Sequence, residues 1–124
     1  PTKKYHLNTI TYKDLTTIHG IDNKLANRIL NFRKGLGGFH HKNQLYQVYG
    51  LKKASISLLM QKLDDVPLTF KKININTSSK EELQAFIYTK KYTDKLLQSR
   101  PLNKNGVCKI ITKHCNKAMF YLEF

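Results

Sequence analysis

Apolar positions along the first half of the chain fall in short bursts at helical spacing, cut by breaks that carry glycine. Leu25, Ala26, Ile29, Leu30 and Arg33 recur on one face, with Lys24, Arg28 and Asn31 between them. That spacing predicts an amphipathic helix from about Asn23 to Lys34, ended by Gly35-Leu-Gly-Gly38. Upstream, Thr11 and Asp14 have the spacing in which a hydroxyl accepts from a helix-start amide and the acid answers back. The helix they open is expected to run to about Ile18 and to stop at His19-Gly20, where glycine permits a tight turn. A second set follows: a short helix over about Lys42 to Val48, a turn at Tyr49-Gly50-Leu51, and a helix through Ile56, Leu59, Met60 and Leu63. The pattern is helix, hairpin, helix, twice.

The chain also echoes itself. Leu7-Asn-Thr-Ile-Thr-Tyr-Lys-Asp-Leu15 returns 68 residues later as Ile75-Asn-Thr-Ser-Ser-Lys-Glu-Glu-Leu83, and Ser79 with Glu82 repeats the capping spacing. With one residue deleted, Leu25, Arg28, Ile29, Leu30 and Arg33 fall opposite Tyr92, Lys95, Leu96, Leu97 and Arg100. The expected organisation is a unit over 5–63, a connector over 64–72 that is extended around Pro67, and a second unit over 73–124. The second unit is degenerate: Phe86-Ile-Tyr-Thr-Lys-Lys91 stands where the turn should be and holds no glycine, and Arg100-Pro101 ends its helix early. The fold class expected is all-α, two tandem units of short helices.

The stretch from Leu15 to Arg33 resembles the helix-hairpin-helix motif. Asn8-Thr9 before it, with Gly38-Phe39 and Leu45 after it, resemble the longer pattern of ComEA-type competence DNA receptors, a SAM-like, five-helix arrangement. The resemblance implies duplex DNA as partner, held non-specifically by its phosphates. It implies that Gly20 and Ile21 are turn and plug, that Ala26 is the close helix contact, and that His19, Lys24 and Arg28 line the anion. In the second hairpin Gly50 and Leu51 take those places, with Lys52 and Lys53 as cationic neighbours. Such turns aim main-chain N–H groups and the positive end of a helix dipole at phosphate, which positions a duplex without reading bases. Where the pattern expects a second glycine this chain has Asp22 and Lys52. Asp22 reads equally as a cap for the helix that follows and as a carboxylate set beside the anion site.

Charge sharpens the expectation. There are 22 Lys and Arg against 8 Asp and Glu, a net charge of +14, and residues 1–63 carry 11 basic groups against only 2 acidic. Such self-repulsion is commonly relieved by a polyanionic partner. No apolar run is long enough to span a bilayer, and the opening Pro1-Thr-Lys-Lys does not read as a signal peptide. Starting on Pro1, the chain is expected to be a processed or excised piece. The compartment is periplasmic or cell-envelope if the ComEA-type resemblance holds, and otherwise cytoplasmic. Cys108, Cys115 and His114 lack the usual zinc spacing, so buried or free structural thiols and no metal or other cofactor are expected, a bridge being geometrically possible if the two cysteines lie on successive short helices. His40 and His41 are loop side chains, phosphate contacts or a cap for the helix at Lys42, and the tyrosines, Tyr46 and Tyr49 included, are expected to pack against core leucines. No nucleophile with a base and no paired carboxylates stand out, so no enzyme is expected. The competing reading is a protein-interaction module, with residues 73–124 as the docking face for a protein partner, and structured RNA is a third.

Overall fold

The computed structural model describes residues 4–124, so the start of the sequence, Pro1 to Lys3, lies outside the described residues. The chain is all-α apart from one two-residue strand pair, and it divides into two compact units. Residues up to 34 together with 38–70 form the first, and 35–37 with 71–124 form the second.

In the first unit, α1 (Tyr12–Thr16) is capped by Thr11, whose hydroxyl oxygen accepts from the Asp14 amide at 3.2 Å. The Asp14 carboxylate accepts from the Thr11 hydroxyl at 2.9 Å, so the reciprocal bond to the Thr11 amide is replaced by one to its side chain. Aspartate is one methylene shorter than the glutamate that usually completes a capping box. The helix stops two residues before Ile18, at Thr16, where Thr17 turns its amide back to the Asp14 and Leu15 carbonyls. Helix α2 (Asn23–Leu36) outruns the expected end at Lys34. It closes on Gly37 (φ 76°) and Gly38 (φ 112°), with the Gly38 amide donating to the Arg33 carbonyl at 3.0 Å, a six-residue closure that needs left-handed backbone. The short helix expected over about Lys42 to Val48 is present, as a 3-10 helix over Lys42–Gln47. His41 caps it, with Nδ1 accepting from the Asn43 amide at 3.0 Å, which settles its role among the three open to it. Helix α3 (Lys53–Gln61) completes the unit.

Leu7, Ile10, Leu15, Ile21, Ala26, Ile29, Leu45, Ile56 and Leu59 make the core of this unit, each 3% exposed or less. Two polar side chains tie the ends of the chain onto it. Asn8 accepts from the Phe39 amide (2.7 Å) and donates to the Phe39 and Thr69 carbonyls (3.0 and 2.8 Å). Arg33 donates to the Leu7 and Ile10 carbonyls (3.1 and 2.8 Å), and its burial lowers its pKa from the ordinary value. A bridge between Tyr5 and Leu63 pairs the first stretch with the last, and the Asp64 amide donates to the Tyr5 carbonyl at 2.8 Å.

The second unit is built on α4 (Lys80–Ala85), α5 (Thr93–Gln98), α6 (Lys104–Ile110) and α7 (Cys115–Ala118) around Ile75, Leu83, Leu96, Val107, Ile111 and Tyr121. Ser79 and Glu82 form the complete capping box at α4. Two strands the helical pattern did not foreshadow, β1 (Ile73–Asn74) and β2 (Leu122–Glu123), pair in parallel with Ile73 opposite Leu122. Asn76 accepts from the Leu102 amide (2.7 Å) and donates to its carbonyl (3.0 Å), and Arg100 donates to the Ser78 carbonyl at 2.6 Å. Gly35 sits in this unit with Ile87 Cβ 3.5 Å from where its own Cβ would stand, and its carbonyl accepts from the Ile87 amide at 2.9 Å.

Thiols were expected at Cys108 and Cys115, but they form a disulfide with Cα atoms 5.5 Å apart. The spacing of seven brings an α6 residue beside the first residue of α7, a juxtaposition that periodicity does not reveal. No helix among the described residues is long and apolar enough to cross a membrane.

Two stability predictions follow from these ties. Asn8→Ala leaves the Phe39 amide without its acceptor and is expected to lower the unfolding free energy by about 1–3 kcal/mol in urea titration. Reduction of the Cys108–Cys115 bridge, which closes a short loop, is expected to lower it by about 2–3 kcal/mol, read as a drop in melting temperature on adding a phosphine reductant.

Candidate nucleic-acid interface

Two turns bring main-chain nitrogen to the surface of the first unit. In the first, the Ile18 carbonyl accepts from the Ile21 amide at 3.0 Å, Gly20 takes φ 87°, and Ile21 drops into the core. Thirty residues on, the Val48 carbonyl accepts from the Leu51 amide at 3.3 Å, Gly50 takes φ 81°, and Leu51 is half-buried. The helices that follow open alike, Ala26 donating to the Asp22 carbonyl (2.9 Å) and Ile56 to the Lys52 carbonyl (3.0 Å). Positive φ suits glycine, which lacks the Cβ that clashes there.

The hairpins also hold each other. A Cβ on Gly20 would collide with Ser55 Oγ in the first turn of α3. A Cβ on Gly50 would meet Arg28 Nη1 at 2.6 Å and Leu25 Cδ2 at 3.5 Å in α2. Gly20 with Ser55 and Gly50 with Leu25 are the same pair with the two hairpins exchanged, so the packing is pseudo-two-fold. Each glycine is both the hinge of its own turn and the floor against which the other hairpin's helix rests.

Around this frame the expected site residues separate into three kinds. Lys24, Lys52 and Lys53 are exposed, and none of the three forms an ion pair among the described residues. His19 is exposed in the first turn, within an open depression lined by residues 16–22. Ile21, Leu51 and Ala26 are packing residues, as the motif requires. Arg28 is a brace: Nη1 donates to the Tyr49 carbonyl at 2.9 Å and the guanidinium lies 4.8 Å from the centre of the Tyr49 ring. The arginine of the first hairpin thus steadies the turn of the second. Tyr46 and Tyr49 are 52% and 81% exposed, so the expectation that they pack into the core is corrected. Tyr49 occupies the position equivalent to His19, directly before its turn glycine, and that equivalence is the one sequence signal that could have drawn attention to it.

The two helix starts differ electrostatically. Asp22 Oδ1 accepts from the Leu25 amide at 2.9 Å, so the capping role is filled and a carboxylate sits on the first turn of α2. Lys52, in the same place before α3, makes no side-chain cap, and among the described residues the amides of Lys53, Ala54 and Ser55 make no hydrogen bond. One helix start brings its own anion; the other presents bare N–H groups and two lysines.

Gly20→Ala is expected to cost about 1–3 kcal/mol of stability, from the left-handed backbone and the collision with Ser55. Ser55→Ala in the same chain should return part of it, with a coupling of at least about 0.5 kcal/mol in a double-mutant cycle. Strict additivity would rule out the reciprocal packing.

The model of the family described as the helix-hairpin-helix motif matches residues 2–63, half of the chain and nearly all of the first unit. Neither a curated protein nor a solved structure gives a match. Motifs of this family are generally associated with DNA binding that does not depend on sequence. Two turns with left-handed glycines, a buried plug at Ile21 and a half-buried one at Leu51, and two second helices packed across each other are the parts such a motif needs, and by them and by the match the chain belongs to the helix-hairpin-helix motif family.

Proposed function

We propose that this chain binds duplex DNA without sequence preference, through phosphate contacts at the Gly20 and Gly50 hairpins, and that it works by binding rather than by catalysis. The observation that carries the reading is the start of α3, where unbonded amides lie beside Lys52 and Lys53. Phosphate can accept from those N–H groups, and the helix dipole and both ammonium groups favour the same anion. At the first hairpin the Asp22 carboxylate competes for the same place, so the two turns contribute unequally, the second more.

The finer reading is a module of the ComEA type, with a role in DNA uptake or processing, whose second unit is a degenerate copy of the first. Three pairs of contacts support the duplication. Asn8 clasps the main chain at Phe39 as Asn76 clasps it at Leu102; Arg33 donates to the Ile10 carbonyl as Arg100 donates to that of Ser78; and Tyr5 pairs with Leu63 as Ile73 pairs with Leu122. Asn8, Ile10 and Tyr5 are each 68 residues from their counterparts, the spacing of the sequence echo.

Titration of a short fluorescent duplex at several salt concentrations tests the binding. Log affinity should fall linearly with log salt, by about 0.9 for each phosphate neutralised. Asp22→Asn keeps the cap and removes the charge, and is expected to tighten binding about fivefold at low salt, roughly 1 kcal/mol. Lys52→Asp should weaken it by at least as much. A duplex that binds with no salt dependence, or an Asp22→Asn chain that binds more weakly than the parent, counts against the phosphate cradle.

A further inference from the structure

Between Lys95 and Leu122 the second unit carries no acidic residue, a run of 28 positions that holds Lys95, Arg100, Lys104, Lys109, Lys113 and Lys117. Elsewhere in the same unit lysines find carboxylates: Lys71 lies 3.9 Å from Glu82 and Lys80 lies 3.7 Å from Asp94. Lys104, Lys109, Lys113 and Lys117 form no ion pair among the described residues; the first three are exposed and Lys117 is half-buried. The disulfide then draws their elements together. Lys109 follows Cys108 and His114 precedes Cys115, and the two cysteine Cα atoms are 5.5 Å apart. Since neighbouring Cα atoms are separated by about 3.8 Å, the Lys109 and His114 Cα atoms lie within about 13 Å of each other. His114 itself stands in left-handed backbone (φ 63°), at the corner where the chain turns into α7.

A covalent bridge that gathers like charges, with no carboxylate supplied to neutralise them, raises the self-repulsion of the folded unit. A polyanion laid across it removes that repulsion and releases its own condensed counterions. We infer that the disulfide-clamped segment of residues 104–117 is a second contact surface for the phosphate backbone of duplex DNA, separate from the hairpins and built of lysine side chains rather than main-chain amides. The identity of the polyanion rests on the reading of the hairpins as duplex-binding. Neither the turn glycines nor a helix start takes part in this surface. The first amides of α6 are already served by Asn103, which accepts from Gly106 at 2.8 Å.

The test uses the full chain under non-reducing conditions with a fluorescent duplex of mixed sequence. Replacing Lys104, Lys109, Lys113 and Lys117 together by Gln is expected to reduce the magnitude of the log-affinity against log-salt slope by between about 2 and 4, at about 0.9 per lost phosphate contact. Replacing the same four by Arg should preserve the slope, which separates charge from folding. Lys71→Gln with Lys80→Gln, which removes paired lysines, should change it by less than about 1. A Gln variant that keeps the parent slope and a helical circular dichroism spectrum overturns the inference. Cys108→Ser with Cys115→Ser should bind at least about threefold more weakly at equal salt; unchanged affinity overturns the part given to the bridge. Gly50→Val separates the two surfaces. If it binds like the parent while the Gln variant loses slope, the hairpin reading fails and this one stands. If only Gly50→Val loses binding, this one fails alone.

Discussion

The first unit depends on two left-handed glycines placed where its hairpins meet. Gly20 and Gly50 are left-handed, and each presses its bare Cα against the second helix of the opposite hairpin. At Gly20 turn geometry and inter-hairpin packing are therefore one constraint, because the Cβ that would spoil the backbone conformation would also run into Ser55; at Gly50 the left-handed backbone is the main constraint, and a Cβ would displace the Arg28 guanidinium. Once the helices sit this close, Ile21 and Ala26 are forced into the core and the charged positions of the second helices are left at the surface. The display of cations beside turn amides is a consequence of close packing, and needs no separate device.

The same arrangement gives Arg28 a structural task. Its guanidinium donates to the Tyr49 carbonyl and stacks on the Tyr49 ring, which commits its geometry to the fold, whereas Lys24, Lys52 and Lys53 are exposed and form no ion pair among the described residues. Pseudo-symmetry of the backbone does not carry over to charge. Asp22 and Lys52 occupy matching places with opposite sign, so a symmetric scaffold presents an asymmetric field.

What was legible in the sequence was what is local. The Thr11 and Ser79 caps, the turns at Gly20 and Gly50 and the plug at Ile21 each depend on residues within four positions of one another, and each is found where spacing placed it. The failures are non-local or depend on context. Gly35 reads as a stop, yet it takes no left-handed backbone and α2 runs through it to Leu36, closing on Gly37 and Gly38 instead. The β1–β2 pair joins the two ends of the second unit, and two-residue strands leave no periodic trace. The short helix at Lys42–Gln47 is found, but its 3-10 winding is not legible, since at six residues the two helical periods are hard to tell apart. The disulfide could not be read from spacing because Cys108 and Cys115 lie on separate short helices whose approach is set by packing. At the candidate site, the exposure of Lys24, Lys52 and Lys53 follows from their places on the second helices, but the contacts of Arg28 with Tyr49 could not be read from the sequence, since they arise from one hairpin meeting the other.

The two units then differ in how they can meet an anion, and the difference has a physical root. A hairpin grip requires glycine, because main-chain N–H groups reach a phosphate only where no Cβ intervenes. In the second unit Phe86–Lys91 has no glycine, and its interior is filled instead: Phe86 and Tyr88 are buried with their rings 5.5 Å apart, and the Thr89 hydroxyl donates to the Leu83 carbonyl. Those bonds and contacts stabilise the turn from within. Charge in that unit is carried by side chains, and lysines on short helices keep fixed positions best when something else fixes where the helices lie. Between α6 and α7 that fixture is covalent, which ties the placement of the surface charge to the oxidation state of a single bond.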